Sequence, residues 1–310
     1  MSTPFADRLL DAIEKKGSPI CVGIDPILDS LPDAVFRSPR DPHDVDSCID
    51  AIFAFTLKVL QIVAPHAPCV KFQSAYFEKF LWEGVQTYYD LINEARELGL
   101  VVIGDVKRGD IGSTSEAYAS AHLADLTFAD LDESSTPDAI TVNPMLGMDT
   151  LKPFTDAARE YSKGLFVLVR TSNPGSTVTQ DVKLADGRTW SEMLADNLQT
   201  LAESCGCGAH GYSPLGAVVG ATQTAMMSSL RARLPRSIFL LPGYGTQGAT
   251  GEMTRAAFTD GKGAIVSASR SILYAHRDAK YASIASQGWE KCVEQAVLDM
   301  KADLGQFIRA

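Results

Sequence analysis

Eight short apolar runs, most rich in β-branched residues, are spaced along the chain, and helical stretches separate most of them. The runs cover 20–24, 68–72, 100–104, 139–142, 165–169, 216–220, 238–241 and 263–267. This alternation predicts a parallel sheet, because neighbouring parallel strands need long crossovers and helices supply them. Between runs two and three, Phe77, Leu81, Tyr88, Leu91, Ile92 and Ala95 recur at helical spacing within 75–98. Residues 5–16 read as a helix ahead of the first strand, and 288–309 as one after the last. Eight strand–helix units favour a closed (β/α)8 TIM barrel; an open doubly wound sheet is the alternative the pattern leaves standing. With 310 residues, 45% of them hydrophobic, the chain is expected to form a single barrel domain over 1–310. The N-terminal helix precedes strand one, and a long insert falls near 173–214.

Charge narrows the partners. The formal net charge of −10 argues against nucleic acid or an anionic membrane surface, since both require a positive face. A small anion held by a few placed Lys and Arg residues stays compatible with it. Six cysteines show no framework: Cys21 and Cys69 sit in strand-like runs, and Cys205 and Cys207 are one residue apart rather than two. The first residues lack a charged segment followed by an apolar core, and no apolar run approaches a membrane-spanning length, so a cytoplasmic location is expected.

In a barrel, chemistry gathers at the C-terminal ends of the strands. The polar residues at those ends are Asp25, Lys71, Asp105, Lys107, Asp110, Asn143, Ser172, Gln247 and Arg270. The densest group is Asp105-Val106-Lys107-Arg108-Gly109-Asp110-Ile111-Gly112-Ser113-Thr114. Asp105 and Lys107 are two apart, so on a strand both face one side and Val106 the other. Opposite charges directed into a barrel mouth are costly as mere packing, although a structural ion pair is the plain alternative. Lys71 taken alone would be a solvated strand end; the Asp105 and Lys107 pair on the next strand makes it a candidate. Pro242-Gly243-Tyr244-Gly245-Thr246-Gln247-Gly248 after strand seven, with Arg270 after strand eight, suits a phosphate. There exposed backbone N–H groups and a guanidinium can grip the anion together. No metal constellation is legible: His43, His66, His122, His210 and His276 are scattered, with none at ligand spacing to another.

These motifs, in this order, closely resemble the orotidine 5′-phosphate decarboxylase family, in its longer branch, across residues 20–275. The most specific is Asp105-x-Lys107-x-x-Asp110-Ile111-Gly112-Ser113-Thr114, which with Lys71 gives the alternating Lys-Asp-Lys-Asp array of that family. Pro242, Gly243, Gln247 and Arg270 are similar to its phosphate grip. Ser172 falls where the family contacts the pyrimidine ring and Asp25 where it contacts the ribose. The insert at 173–214 departs from the family's short form. The resemblance implies cofactor-free, metal-free decarboxylation of orotidine 5′-monophosphate to UMP and carbon dioxide, the last step of de novo pyrimidine synthesis. It also implies a homodimer in which Asp110 and Thr114 serve the neighbouring subunit's site.

That chemistry suits the residues. Loss of carbon dioxide leaves carbanion character on a ring carbon with no cofactor as electron sink, so preorganised charge must stabilise it. Lys107 is placed to offset that charge and supply the replacing proton, while Asp105 disfavours the substrate carboxylate. Two other readings stay open on the sequence: a metal-dependent sugar-phosphate decarboxylase or aldolase on the same barrel, and a catalytically silent nucleotide-binding barrel.

Overall fold

A computed structural model describes residues 3–124 and 136–308. Eight parallel strands run in sequence order: β1 (Ile20–Ile24), β2 (Cys69–Gln73), β3 (Val101–Arg108), β4 (Ala139–Val142), β5 (Gly164–Arg170), β6 (Leu215–Val219), β7 (Phe239–Pro242) and β8 (Ala264–Ala268). Each pairs with the next, and β8 pairs with β1, so the sheet closes into a barrel. The expected closed topology is therefore the observed one, and the open sheet is excluded.

Closure makes strand parity decisive, because alternate residues point to the barrel axis and to the surrounding helices. Cys21, Cys69, Val101, Ile103, Ala139, Phe166, Val218, Ile238, Leu240 and Ile265 form the inner cluster. Their neighbours Val22, Val70, Val102, Ile140, Val167, Ala217, Phe239 and Val266 belong to the outer core beneath the helices.

The helix α1 (Phe5–Lys16) closes the N-terminal end of the barrel. It stops at Gly17, whose φ of 59° gives the left-handed cap, with Lys15 and Lys16 in the last turn against the helix dipole. Phe5, Ala6, Leu9 and Leu10 pack into the inner cluster, and Phe5 meets Phe166 edge-on at 5.9 Å between ring centres. Gly164 is required there, since a Cβ would lie 2.1 Å from the Phe5 ring. With the lower end filled by apolar side chains, the polar residues of the strands are left for the upper end.

The outer helices follow in order: α2 (Val45–Val63), α3 (Ala75–Glu78), α4 (Leu81–Glu97), α5 (Gly112–Leu123), α6 (Lys152–Glu160), α7 (Ser176–Gln180), α8 (Trp190–Cys205) and α9 (Thr224–Arg233). After these come α10 (Gly251–Thr254), α11 (Arg270–Leu273), α12 (Ala282–Ala285) and α13 (Trp289–Ile308). Three features differ from the sequence expectation. The helix expected over 75–98 is broken into α3 and α4, where Leu81 adopts φ 57° and Gly84 packs against the Phe77 carbonyl. Strand β3 runs to Arg108 rather than ending near 104, with a register shift against β4 between Gly104 and Arg108. Much of the 173–214 segment is regular: α8 packs on β5 and β6 as the helix between them, started by a Thr189–Glu192 capping box. The irregular part is 171–189, which carries α7 and a small Lys183–Thr189 bridge. All six cysteines are free thiols, four of them buried. Among the described residues, no helix is long and apolar enough to cross a membrane.

Candidate active site

The inner parity that places apolar residues low in the barrel places Asp25, Lys71, Gln73, Asp105 and Thr141 at its upper end. Register brings Gly23 beside Lys71 and Gln73 beside Asp105. The Lys71 ammonium donates to Asp105 Oδ2 at 2.8 Å and the Lys107 ammonium donates to Oδ1 at 2.6 Å. Gln73 Nε2 donates to Oδ2 at 3.1 Å, and the Thr141 hydroxyl to Oδ1 at 2.9 Å. One carboxylate thus accepts four hydrogen bonds, two from cations. Lys71 and Asp105 keep only 9% of their side-chain surface, whereas Lys107 keeps 46% and faces the mouth.

Burial alone would favour a neutral Asp105. The charges of Lys71 and Lys107, with their hydrogen bonds, overcome it and hold the carboxyl well below the usual carboxylate range. Burial likewise works against the Lys71 charge, yet Asp105 and then Asp25 raise its pKa above the ordinary lysine value. Both groups are therefore ionised at neutral pH, and the array is a fixed set of charges.

Asp105 and Lys107 do face one side, as strand parity predicts, but the path between them is not a plain strand. Lys107 has φ 46°, in the left-handed region that side chains other than glycine avoid, at the irregularity between β3 and β4. Its N–H donates to Thr141 Oγ1 at 2.9 Å. Val106 turns outward into the core beneath the helices. Next along, Arg108 pairs with Glu78 on α3 at 2.6 Å and donates to His122 Nε2 on α5 at 3.3 Å.

Asp25 ends β1 with its Oδ1 buried and without a hydrogen-bond partner, an acceptor left open beside Lys71. Its carbonyl is fixed by the Tyr274 hydroxyl at 2.8 Å. Asp110 and Thr114 behave differently. Asp110 Oδ1 accepts from the Ile111 N–H at 2.8 Å, and among the described residues it forms no ion pair with Lys71 or Lys107. Thr114 is exposed on the first turn of α5. Within one chain, then, Lys71, Asp105 and Lys107 are joined, and Asp110 and Thr114 are not joined to them.

The loops after β7 and β8 meet. Gly243 (φ 112°) lets the chain leave Pro242 with the Gln247 side chain folded over it, where a Cβ would stand 2.9 Å from Gln247 Oε1. Gly245 approaches Ser271, beside the exposed Arg270 that opens α11. Among the described residues the Arg270 guanidinium has no carboxylate or carbonyl partner. The loop backbone is held from behind by Tyr244, whose hydroxyl donates to Asp303 on α13 at 2.6 Å. Ser172 follows β5 and lies against Gly220, where a Cβ would come 2.9 Å from the Ser172 Cα.

Sequence reasoning missed three participants. Gln73 and Thr141 share the inner parity of Lys71 and Asp105, and that parity was the available signal. Arg170, fully buried at the end of β5, grips Asp181 with two hydrogen bonds and has no local signature. One grouping capable of ligating a metal occurs among the described residues, Asp11, Glu14 and His210. It lies at the opposite end of the barrel, and Lys262 already pairs with Glu14 there at 2.5 Å.

Comparison with known proteins agrees with this geometry. The profile of the Orotidine 5′-phosphate decarboxylase / HUMPS family matches residues 18–283. The Rhodopirellula baltica protein named orotidine 5′-phosphate decarboxylase is 40% identical over 303 residues, covering 97% of this chain and 98% of its own. A Streptomyces avermitilis crystal structure provisionally given the same name superposes with a TM-score of 0.80 at 31% identity, over 100% of this chain and 97% of the other. The Leishmania donovani OMP decarboxylase structure superposes with a TM-score of 0.73 at 26% identity, over 99% of this chain and 100% of its own.

Proposed function

The chain belongs to the orotidine 5′-phosphate decarboxylase / HUMPS family, and from that premise we infer that it converts orotidine 5′-monophosphate to UMP and carbon dioxide. It is a carboxy-lyase, acting in pyrimidine nucleotide synthesis. The observation that carries this reading is the buried Asp105 carboxylate held ionised between two lysines at the mouth of the barrel.

The reaction breaks the bond between the pyrimidine ring and its carboxylate. Carbon dioxide leaves, the electron pair stays on the ring carbon, and a proton must replace it. The substrate carboxylate is to sit against Asp105, where two like charges about 4 Å apart repel by roughly 4 kcal/mol at an effective dielectric near 20. That repulsion is relieved as the carboxylate becomes neutral carbon dioxide. The Lys107 ammonium faces the developing carbanion, stabilises it and gives up its proton; solvent reprotonates the amine afterwards. Lys71 stays on Asp105 and keeps it charged through the cycle. Asp25, with its open Oδ1, suits a ribose hydroxyl, and Ser172 the pyrimidine ring. Pro242, Gly243, Gln247 and Arg270 suit the phosphate, whose binding energy serves to orient the ring.

The active unit is a homodimer in which Asp110 and Thr114 of each subunit complete the other's site. Support comes from their separation from the Lys71–Asp105–Lys107 group, and from exposed Ile111, Met145 and Leu146 beside them. These apolar side chains occupy the touching loops after β3 and β4, where Gly109 lies against Asn143, and a second subunit would cover them. Phosphorylated substrate and product are consistent with a cytoplasmic location.

The deciding assay follows loss of orotidine 5′-monophosphate absorbance in the presence and absence of excess chelator. Equal turnover in both is expected. Turnover only with an added divalent cation, or of keto-sugar phosphates instead, would shift the reaction to the enediolate chemistry of the same barrel. UMP binding without turnover would leave a silent nucleotide-binding barrel.

A further inference from the structure

Thr141 is fully buried on β4 and touches both members of the reacting pair. A hydroxyl has one proton to donate and lone pairs to accept with. Here the proton goes to Asp105 Oδ1 at 2.9 Å, and a lone pair takes the backbone N–H of Lys107, also at 2.9 Å. A single side chain therefore ties the carboxylate to the main chain of the lysine.

Two facts make this tie consequential. First, Lys107 sits at φ 46°, a conformation costing about 1–2 kcal/mol for a residue with a Cβ, and β3 is out of simple register with β4 around it. Without the Thr141 acceptor, the N–H that holds this turn loses its partner in a half-buried site. Second, Asp105 has every acceptor direction filled: Lys107 and Thr141 on Oδ1, Lys71 and Gln73 on Oδ2. When Lys107 leaves Asp105 to protonate carbon, Thr141 is the donor remaining on that oxygen.

We propose that Thr141 is a positioning residue for decarboxylation, fixing Asp105 and the strained Lys107 backbone relative to each other so that the proton arrives in line with the ring carbon. The inference rests on the proposed function, since it assigns a role within that reaction. It separates Thr141 from residues that bind substrate: its effect is to fall on the chemical step and not on nucleotide affinity.

The test compares Thr141→Val, which keeps the shape without the hydroxyl, with Thr141→Ser, which keeps the hydroxyl. Misplacing a reacting group by about 1 Å can cost on the order of 100-fold, so kcat of Thr141→Val is expected to fall about 10- to 100-fold. UMP affinity is expected to change little, the thermal midpoint, measured on the same preparations, to fall because the Lys107 N–H and Asp105 lose a partner, and Thr141→Ser to recover most of the lost kcat. Thr141→Ala is the second hydroxyl-free variant should the valine not fold. A kcat for the hydroxyl-free variants close to that of the native protein overturns the proposal. So does a loss confined to KM, or a serine variant as slow as the valine one. Absence of turnover in the native protein would instead overturn the proposed function, and this role with it.

Discussion

Arg170 and Asp181, eleven residues apart, meet through two parallel hydrogen bonds, Nε to Oδ1 at 2.9 Å and Nη2 to Oδ2 at 3.0 Å. The guanidinium is fully buried at the end of β5, while Asp181 lies just past α7. Nη1 also donates to the Thr171 carbonyl at 2.8 Å and to the Ser176 hydroxyl. Gln180 Oε1 accepts from the Thr171 N–H at 2.8 Å. The irregular segment after β5 is thus folded around one cation, and Ser172 is carried on it. Asp181→Ala leaves that cation buried without its carboxylate. Because Asp181 is itself one-third exposed, the expected destabilisation is about 2–3 kcal/mol rather than the full cost of breaking a wholly buried pair. Loosening Ser172 is expected to raise KM for the nucleotide about 10-fold. Thermal denaturation and steady-state kinetics read the two effects, and unchanged KM would detach this clamp from substrate binding.

Lys107→Ala removes the group assigned to stabilise and protonate the carbanion. Turnover is expected to fall by at least about 1,000-fold, the scale on which loss of both a general acid and an electrostatic donor is felt. UMP binding is to stay measurable, since Lys71 and Asp105 keep their own hydrogen bond. Calorimetric titration with UMP beside the absorbance assay makes the comparison. Near-native turnover would end the proton-donor assignment.

How far this site could be read in the sequence depends on the range of each interaction. The strand positions, and the inward parity of Lys71 and Asp105, follow from local periodicity and were legible. The break before Leu81 and the bulged path to Lys107 were not, because each turns on a positive-φ residue that is not a glycine, and the one at Lys107 is held by Thr141, 34 residues away. Thr141 lay within a recognised strand, yet its partners Asp105 and Lys107 are 36 and 34 residues away and are fixed by the register of β3 on β4. The pairing of His210 with Asp11 spans 199 residues, beyond any spacing rule for ligands. Asp110 was legible as a strand-end acid, but nothing in its local spacing could show that it stands apart from Lys71 and Lys107 within one chain.

Arg270→Ala tests the phosphate assignment through a ratio. A guanidinium–phosphate contact is worth on the order of 2–3 kcal/mol, so affinity for UMP is expected to fall roughly 30- to 150-fold. Affinity for uridine, which lacks the phosphate, is expected to hold. Equal losses for nucleotide and nucleoside would place Arg270 elsewhere than on the anion.

Subunit mixing tests where Asp110 acts. Lys107→Ala and Asp110→Ala are each expected to be nearly inactive alone. If Asp110 serves the neighbouring subunit, a mixed dimer contains one site with both Lys107 and Asp110 intact. Random reassociation of equal amounts then restores about a quarter of the native sites. No recovery after mixing, with heterodimers demonstrated by mass spectrometry, would return Asp110 to its own chain.

His122 ties the same region to acid stability. It lies on α5 with Nε2 accepting from Arg108, and its Nδ1 is buried without a partner. Burial first, and then the adjacent Arg108 charge, push its pKa down to about 4 from an ordinary 6.5. The folded protein therefore keeps the ring neutral where the unfolded chain would protonate it. Between pH 6.5 and 4 the unfolded state binds the extra proton, so stability falls as the pH falls through that window and His122 adds nothing further below it. The shift corresponds to at most about 3 kcal/mol. His122→Gln is expected to lose this component: native and variant denaturation midpoints should converge as the pH drops from 7 toward 4.5. A native-minus-variant difference that stays constant across that range would mean the ring titrates alike in both states, and the buried neutral imidazole would be refuted.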